Sequence, residues 1–226
     1  MTTISDNVSR VRERMIAAAS RTGRDPAAIA LVAVTKTFDA AVIREVVGAG
    51  VLDIGENRVQ ELLAKQDVLE DLACRWHLVG PLQRNKAGKI VGRVELVHAI
   101  DSVRIAQTLD RVAGERGVRM RVLLEVNTSG ETSKHGVGPD GARPAAEALC
   151  HCEWLDWDGL MTIGPLENGD TRACFRLLAR LSQELRAATG KKLPILSMGM
   201  SDDFEVAIEE GSTMIRLGRC ITGERR

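Results

Sequence analysis

Lys36 closes the run "LVAVTKTF" (31–38), five apolar-leaning residues that read as a buried strand ended by a cation. An amine at a strand tip can attack a carbonyl carbon and form a Schiff base, provided burial or neighbouring cations leave it neutral. Two later segments carry residues suited to an anion. "SMGMSDD" (197–203) and "LGRCITGE" (217–224) contain Gly199 and Gly218, where backbone N–H groups can approach a ligand closely. Ser201 stands at the expected N-cap of a short helix, with its hydroxyl and the next amides facing an anion. Asp202 and Asp203 suit the same helix end but would repel a phosphate, so both are expected to turn outward. Arg216, two residues before Gly218, is a cation able to depress the lysine pKa or to donate to a ring nitrogen or anionic oxygen. Together these groups suit an aldehyde that carries a phosphate. Taken singly they are a snorkelling lysine, turn glycines, a serine cap and an ion-paired arginine. The fold decides between the two.

The surrounding pattern alternates strand-like and helical segments. A leading helix with Ile4, Val8, Val11 and Met15 stops near Gly23. Strands are expected at 31–35, 51–54, 76–80, 95–100, 119–127, 155–163, 194–198 and 213–217. Between them lie helical patterns, among them one capped by Asp39 that buries Val42, Ile43, Val46 and Val47, and a long one over 171–188. A helix between consecutive strands means parallel strands joined by right-handed crossovers. Eight such units predict an α/β fold, a single (β/α)8 TIM-type barrel over 1–226, with 1–24 as an extra N-terminal helix packing on it. An open doubly wound sheet has the same element content and is the rival. In a barrel, Lys36 ends the first strand and the two glycine loops follow the seventh and eighth, the loops that commonly cradle phosphate.

Composition narrows the function. Lys+Arg and Asp+Glu both number 31, a balance that argues against nucleic acid or an anionic membrane as the main partner. No run approaches the roughly eighteen apolar residues of a membrane span, and the N-terminus reads as an amphipathic helix, not a signal. Five cysteines without framework spacing read as reduced thiols of a cytoplasmic protein. Cys150-His151-Cys152 has no partnering pair, so no metal site is expected.

The segments "AVTK" (33–36), "GENRVQE" (55–61), "WHLVGPLQRNK" (76–86), "VNTSGETSKHG" (126–136), "GLMTI" (159–163), "LSMGMSDD" (196–203) and "GSTMIRLG" (211–218) occur in an order that closely resembles the pyridoxal phosphate homeostasis protein family. That family is similar to the barrel domain of alanine racemase, fold type III of pyridoxal phosphate proteins. The resemblance implies a protein that binds pyridoxal 5'-phosphate for vitamin B6 and amino-acid homeostasis and hands it to apo-enzymes, without established catalysis. It implies further that Lys36 bears the cofactor as an internal aldimine, that Ser201, Gly218 and Arg219 hold its phosphate, that Arg216 lies near the ring and that Asn57 is a neighbour. Two positions depart from the family pattern: Arg219 replaces a small hydroxyl residue and Thr222 an aromatic one.

Other readings are weaker. An amino-acid racemase using the same linkage needs a second base, a tyrosine supplied with a second domain, and this chain has neither. A Schiff-base aldolase usually carries its lysine on the sixth strand, which here bears Met161. Met161 and His77 read as core residues, and Lys134 and His135 as members of a solvated loop. Without the racemase's second domain, a monomer is expected.

Overall fold

A computed structural model describes residues 3–165 and 169–223. The strands are β1 (Ala30–Val34), β2 (Asp53–Glu56), β3 (Arg75–Leu78), β4 (Leu96–Ile100), β5 (Met120–Glu125), β6 (Leu155–Met161), β7 (Ile195–Ser197) and β8 (Met214–Leu217). They pair in chain order, all parallel, and β8 pairs back onto β1 with Ala33 opposite Leu217, so the sheet is a closed barrel. The open-sheet alternative is thereby excluded.

The helices are α1 (Ile4–Arg21), α2 (Ala40–Gly48), α3 (Val59–Val68), α4 (Ala87–Ile90), α5 (Val103–Glu115), α6 (Ala142–Cys150), α7 (Thr171–Thr189), α8 (Phe204–Glu209) and α9 (Arg219–Thr222). Asp39 caps α2 by accepting from Val42 N–H, as the sequence implies. The extra N-terminal helix begins with a capping box between Thr3 and Asp6. It buries Val8, Val11 and Met15, and Asn7 donates to the Ile221 carbonyl at 2.8 Å, tying α1 to α9.

Side-chain parity sorts each strand into two faces. One face, with Ile54, Leu78, Val97 and Ile215, packs under the helices; the other, with Val32, Val79, Leu123 and Met214, fills the barrel. Met161 lies among this inner set and is fully buried, as expected for core filling. Most strand ends fall one or two residues from expectation, and for two of them the hydrogen bonds give the reason. β2 starts two residues late because Val51 N–H still bonds the Val46 carbonyl and completes the exit from α2. β5 stops at Glu125 because the Asn127 side-chain oxygen accepts from Ser129 and Gly130 and turns the chain.

Candidate functional site

The inward parity of β1 runs Val32, Val34, Lys36, so the lysine inherits the direction of the barrel core and emerges at the C-terminal rim. A cleft of about 640 Å³ opens there. Lys36, Asn57, Ser201, Arg216, Gly218 and Arg219 all line it, with Glu125, Ile163 and Thr222. Six residues chosen from sequence therefore share one mouth. Gly218 lies beside the end of β1: a Cβ at this position would sit 3.4 Å from the Val34 carbonyl oxygen.

The turn that presents Lys36 is strained and clamped. Thr37 has φ +70°, an uncommon conformation for a β-branched residue. Its N–H donates to the Glu61 carboxylate at 2.5 Å, and Phe38 N–H donates to the Thr35 carbonyl. Behind the turn the buried Lys65 ammonium donates to Thr35 O at 2.8 Å and to Glu56 and Glu61, both at 2.7 Å. Thr35 Oγ1 also donates to Glu56, at 2.6 Å. Burial pushes the Glu56 carboxyl up, opposed by its bonds from Lys65 and Thr35. Sequence reading missed this clamp, although Glu61 and Lys65 stand at the helical i, i+4 spacing.

Ser201 is not a helix cap. The chain makes one more turn, α8 begins at Phe204, and Asp203 takes the N-cap position. Ser201 Oγ instead accepts from Cys220 N–H at 3.4 Å and so bridges the loops after β7 and β8. Of the two aspartates, only Asp202 turns outward, where it pairs with the exposed guanidinium of Arg219. Asp203 turns inward and accepts from Met200 N–H at 2.6 Å, because that amide is otherwise left bare where the loop doubles back. Arg219 thus offers the cleft its backbone while its side chain is engaged by Asp202. Thr222 Oγ1 donates to the Gly218 carbonyl at 3.3 Å.

Arg216 is buried, with Nη1 donating to Ser197 Oγ at 2.7 Å and Nη2 to the Thr162 carbonyl at 2.9 Å. Burial lowers its pKa to about 10, opposed by Glu125 and Asp203, so it stays a cation at neutral pH. Glu125, on β5, is a site residue that sequence reading missed. Burial raises it to about 7, with Arg216 opposing, Asp101 adding and His135 opposing. No group among the described residues bonds its buried Oε2. A buried cation, an unsatisfied carboxyl oxygen, a rim amine and a hydroxyl fit a compact polar occupant bearing a carbonyl and an anion.

His77 is a bonded core histidine, as expected, but it is not alone: it lies between Asp53 and His98. Inward parity in "ELVHAI" is the signal that would have found His98. Lys134 departs from the solvated-loop expectation; it is partly buried and donates to the Gly164 carbonyl, because the loop after β5 folds back over the rim of β6. His135 remains exposed and lines the cleft.

Known proteins share this chain's sequence pattern and fold. The alanine racemase N-terminal domain family matches residues 3–226. A pyridoxal phosphate homeostasis protein of Aquifex aeolicus (strain VF5) is 43% identical over 223 residues, covering 98% of each chain. PipY of Synechococcus elongatus PCC7942, solved with PLP bound, superposes with a TM-score of 0.83 at 38% identity, over 94% of this chain and 100% of that one. An alanine racemase of Clostridium difficile 630 shares the fold, with a TM-score of 0.72 at 16% identity over 95% of this chain and 56% of its own. The chain belongs to the pyridoxal phosphate homeostasis protein family, built on the alanine racemase N-terminal domain.

Proposed function

We propose that this chain binds pyridoxal 5'-phosphate at the barrel mouth through Lys36 and holds it for intracellular vitamin B6 and amino-acid homeostasis. The observation that carries this reading is the meeting of Lys36, Ser201, Arg216 and Gly218 on one cleft, from the ends of three strands adjacent around the barrel. When bound, the cofactor supplies an electrophilic aldehyde and a phosphate dianion. The Lys36 amine is the nucleophile for that carbonyl, and the buried Arg216 cation in the same cleft favours its neutral form. Ser201, whose oxygen accepts from Cys220, keeps its own proton to donate to phosphate, beside the backbone N–H groups of Gly218 and Arg219. Asn57 supplies a polar side chain on the flank of the cleft.

The site holds its occupant rather than turning over an amino acid, because the chain contains no tyrosine to serve as the racemase's second base. A monomer in the cytoplasm that passes its cargo to apo-enzymes suits the five free thiols. It also suits the few large hydrophobics exposed among the described residues, Ile16, Leu52 and Val68.

Adding pyridoxal phosphate to purified protein should give a yellow complex, and borohydride should fix the cofactor's mass on the Lys36 peptide. Lys36→Ala should gain neither colour nor mass. Label on another lysine, or no label at all, rejects the assignment. Exchange of an amino acid's α-proton above that of free cofactor would replace holding by racemisation.

A further inference from the structure

Five inward-facing side chains, one from each of β2, β3, β4, β7 and β8, make one continuous run of hydrogen bonds through the barrel. Asp53 Oδ1 meets His77 Nε2 at 2.9 Å, His77 Nδ1 meets His98 Nε2 at 3.0 Å, and His98 Nδ1 meets Ser197 Oγ at 2.9 Å. Ser197 Oγ then accepts from Arg216 Nη1 at 2.7 Å. His77, His98 and Ser197 are fully or almost fully buried. The two ends lie in different places. Arg216 lines the lysine cleft, whereas Asp53 opens β2 and lines a separate cleft with Leu31, Val51 and Arg75.

The direction of every bond in the run follows from its ends. Arg216 can only donate, so the Ser197 proton goes to its other neighbour, His98 Nδ1. His98 therefore carries its proton on Nε2 and donates it to His77 Nδ1. His77 in turn carries its proton on Nε2 and donates to the Asp53 carboxylate. All donors point from the mouth toward Asp53. The reverse direction would leave the Ser197 proton without an acceptor in a dry interior, which is costly. Two ionisation states agree with this direction. Burial, with His77 and Arg216, holds His98 well below its ordinary pKa, hence neutral. Burial alone would raise Asp53, but His77 and Arg75 outweigh it and hold the carboxyl at about 2.

We propose that Asp53, His77, His98 and Ser197 form a positioning relay that orients the Arg216 guanidinium in the lysine cleft, so that a change at Asp53 is felt by the ligand at the mouth. A core with no such duty would be met more cheaply by apolar side chains, as at the neighbouring interior positions Val32, Leu96 and Met214. The relay uses only this chain's own groups. Its effect on a ligand rests on the pyridoxal phosphate reading above.

Nitrogen-15 NMR of the protein without added ligand tests the direction of the run, independently of any cofactor. Both imidazoles should carry their proton on Nε2; a proton on Nδ1 of His98 would overturn the relay. Titration with pyridoxal phosphate tests the consequence. Ser197→Ala should weaken binding about tenfold and shift the absorption maximum of the complex, and Ser197→Thr should restore both. Asp53→Ala should weaken binding about threefold, the effect of a fraction of one hydrogen bond. Arg75→Ala removes the other partner of Asp53 but leaves the run intact, and should bind as the parent does. Ser182→Ala, which deletes a buried hydroxyl on α7 outside the run, controls for packing loss alone. If Asp53→Ala binds as well as Arg75→Ala, or Ser197→Ala binds as well as Ser182→Ala, the relay is rejected. If the parent protein takes up no pyridoxal phosphate, the cofactor reading fails while the NMR result still decides the direction of the run.

Discussion

The Lys65 ammonium lies 2.7 Å from the fully buried Glu56 carboxylate, behind the turn that carries Lys36. The pair therefore joins the stability of the barrel wall to the position of the reactive amine. Its partners are shared: Lys65 also holds the Thr35 carbonyl, and Glu61 holds Thr37 N–H.

Lys65→Met should lower stability by about 3–5 kcal/mol, because it strands a buried carboxylate. Adding Glu56→Leu should recover part of that loss, since the unpaired charge is then gone. Urea unfolding of the two variants checks the order; a milder double variant is expected.

Gly199 has φ +99°, and a Cβ at this position would lie 2.6 Å from the Ala207 Cβ and 2.9 Å from the Phe204 Cα. Both strain and contact oppose a side chain. Gly199→Ala should push α8 away from the loop that holds Ser201 and cost about 3 kcal/mol. Thermal unfolding should show a much larger drop than Gly138→Ala, where the space is open and φ is ordinary.

Glu125 gives stability a pH dependence of known sign. Its carboxyl is raised from 4.5 to about 7, so the folded chain binds more protons than the unfolded one between those values. Its contribution is fully present below pH 4.5 and is lost as pH rises through 7. The charged groups facing it are Arg216 from β8, Asp101 from the end of β4 and His135 from the loop after β5. The change amounts to about 3 kcal/mol across the window. Glu125→Gln should flatten that limb of the pH–stability curve in urea titrations, and a curve with the same slope as the parent would remove Glu125 as its source.

Arg219 and Asp202 form an exposed pair on the loops after β8 and β7. Such pairs contribute little, so Arg219→Ala should change stability by no more than about 0.5 kcal/mol. If Arg219 acts through its backbone, as proposed, the variant should also bind pyridoxal phosphate nearly as tightly as the parent. Calorimetric titration measures both heat and affinity in one experiment.

Local pattern determined much of this protein. Alternating strand and helix signals imply parallel crossovers, and eight of them suit a barrel, but an open doubly wound sheet covers its strands equally well, so the pairing of β8 with β1 is what decided closure. Closure in turn gathers the strand ends, so the order of Lys36, Asn57, Ser201, Arg216 and Gly218 along the chain already placed them at one rim. Local pattern did not reveal Glu125, His98, Ser197 or the Lys65–Glu56 clamp. Each is a polar residue inside a strand or helix whose meaning depends on a partner that folding brings to it, from 9 positions away for Lys65 and Glu56 to 99 for His98 and Ser197. Nor did it show that Ser201 bridges two loops, or that Asp203 turns inward, since both depend on which backbone amides packing leaves bare. The strands, the helices and their order follow from short-range periodicity; closure, and the charge and hydrogen-bond order inside the barrel, follow only from which strands the tertiary structure makes neighbours.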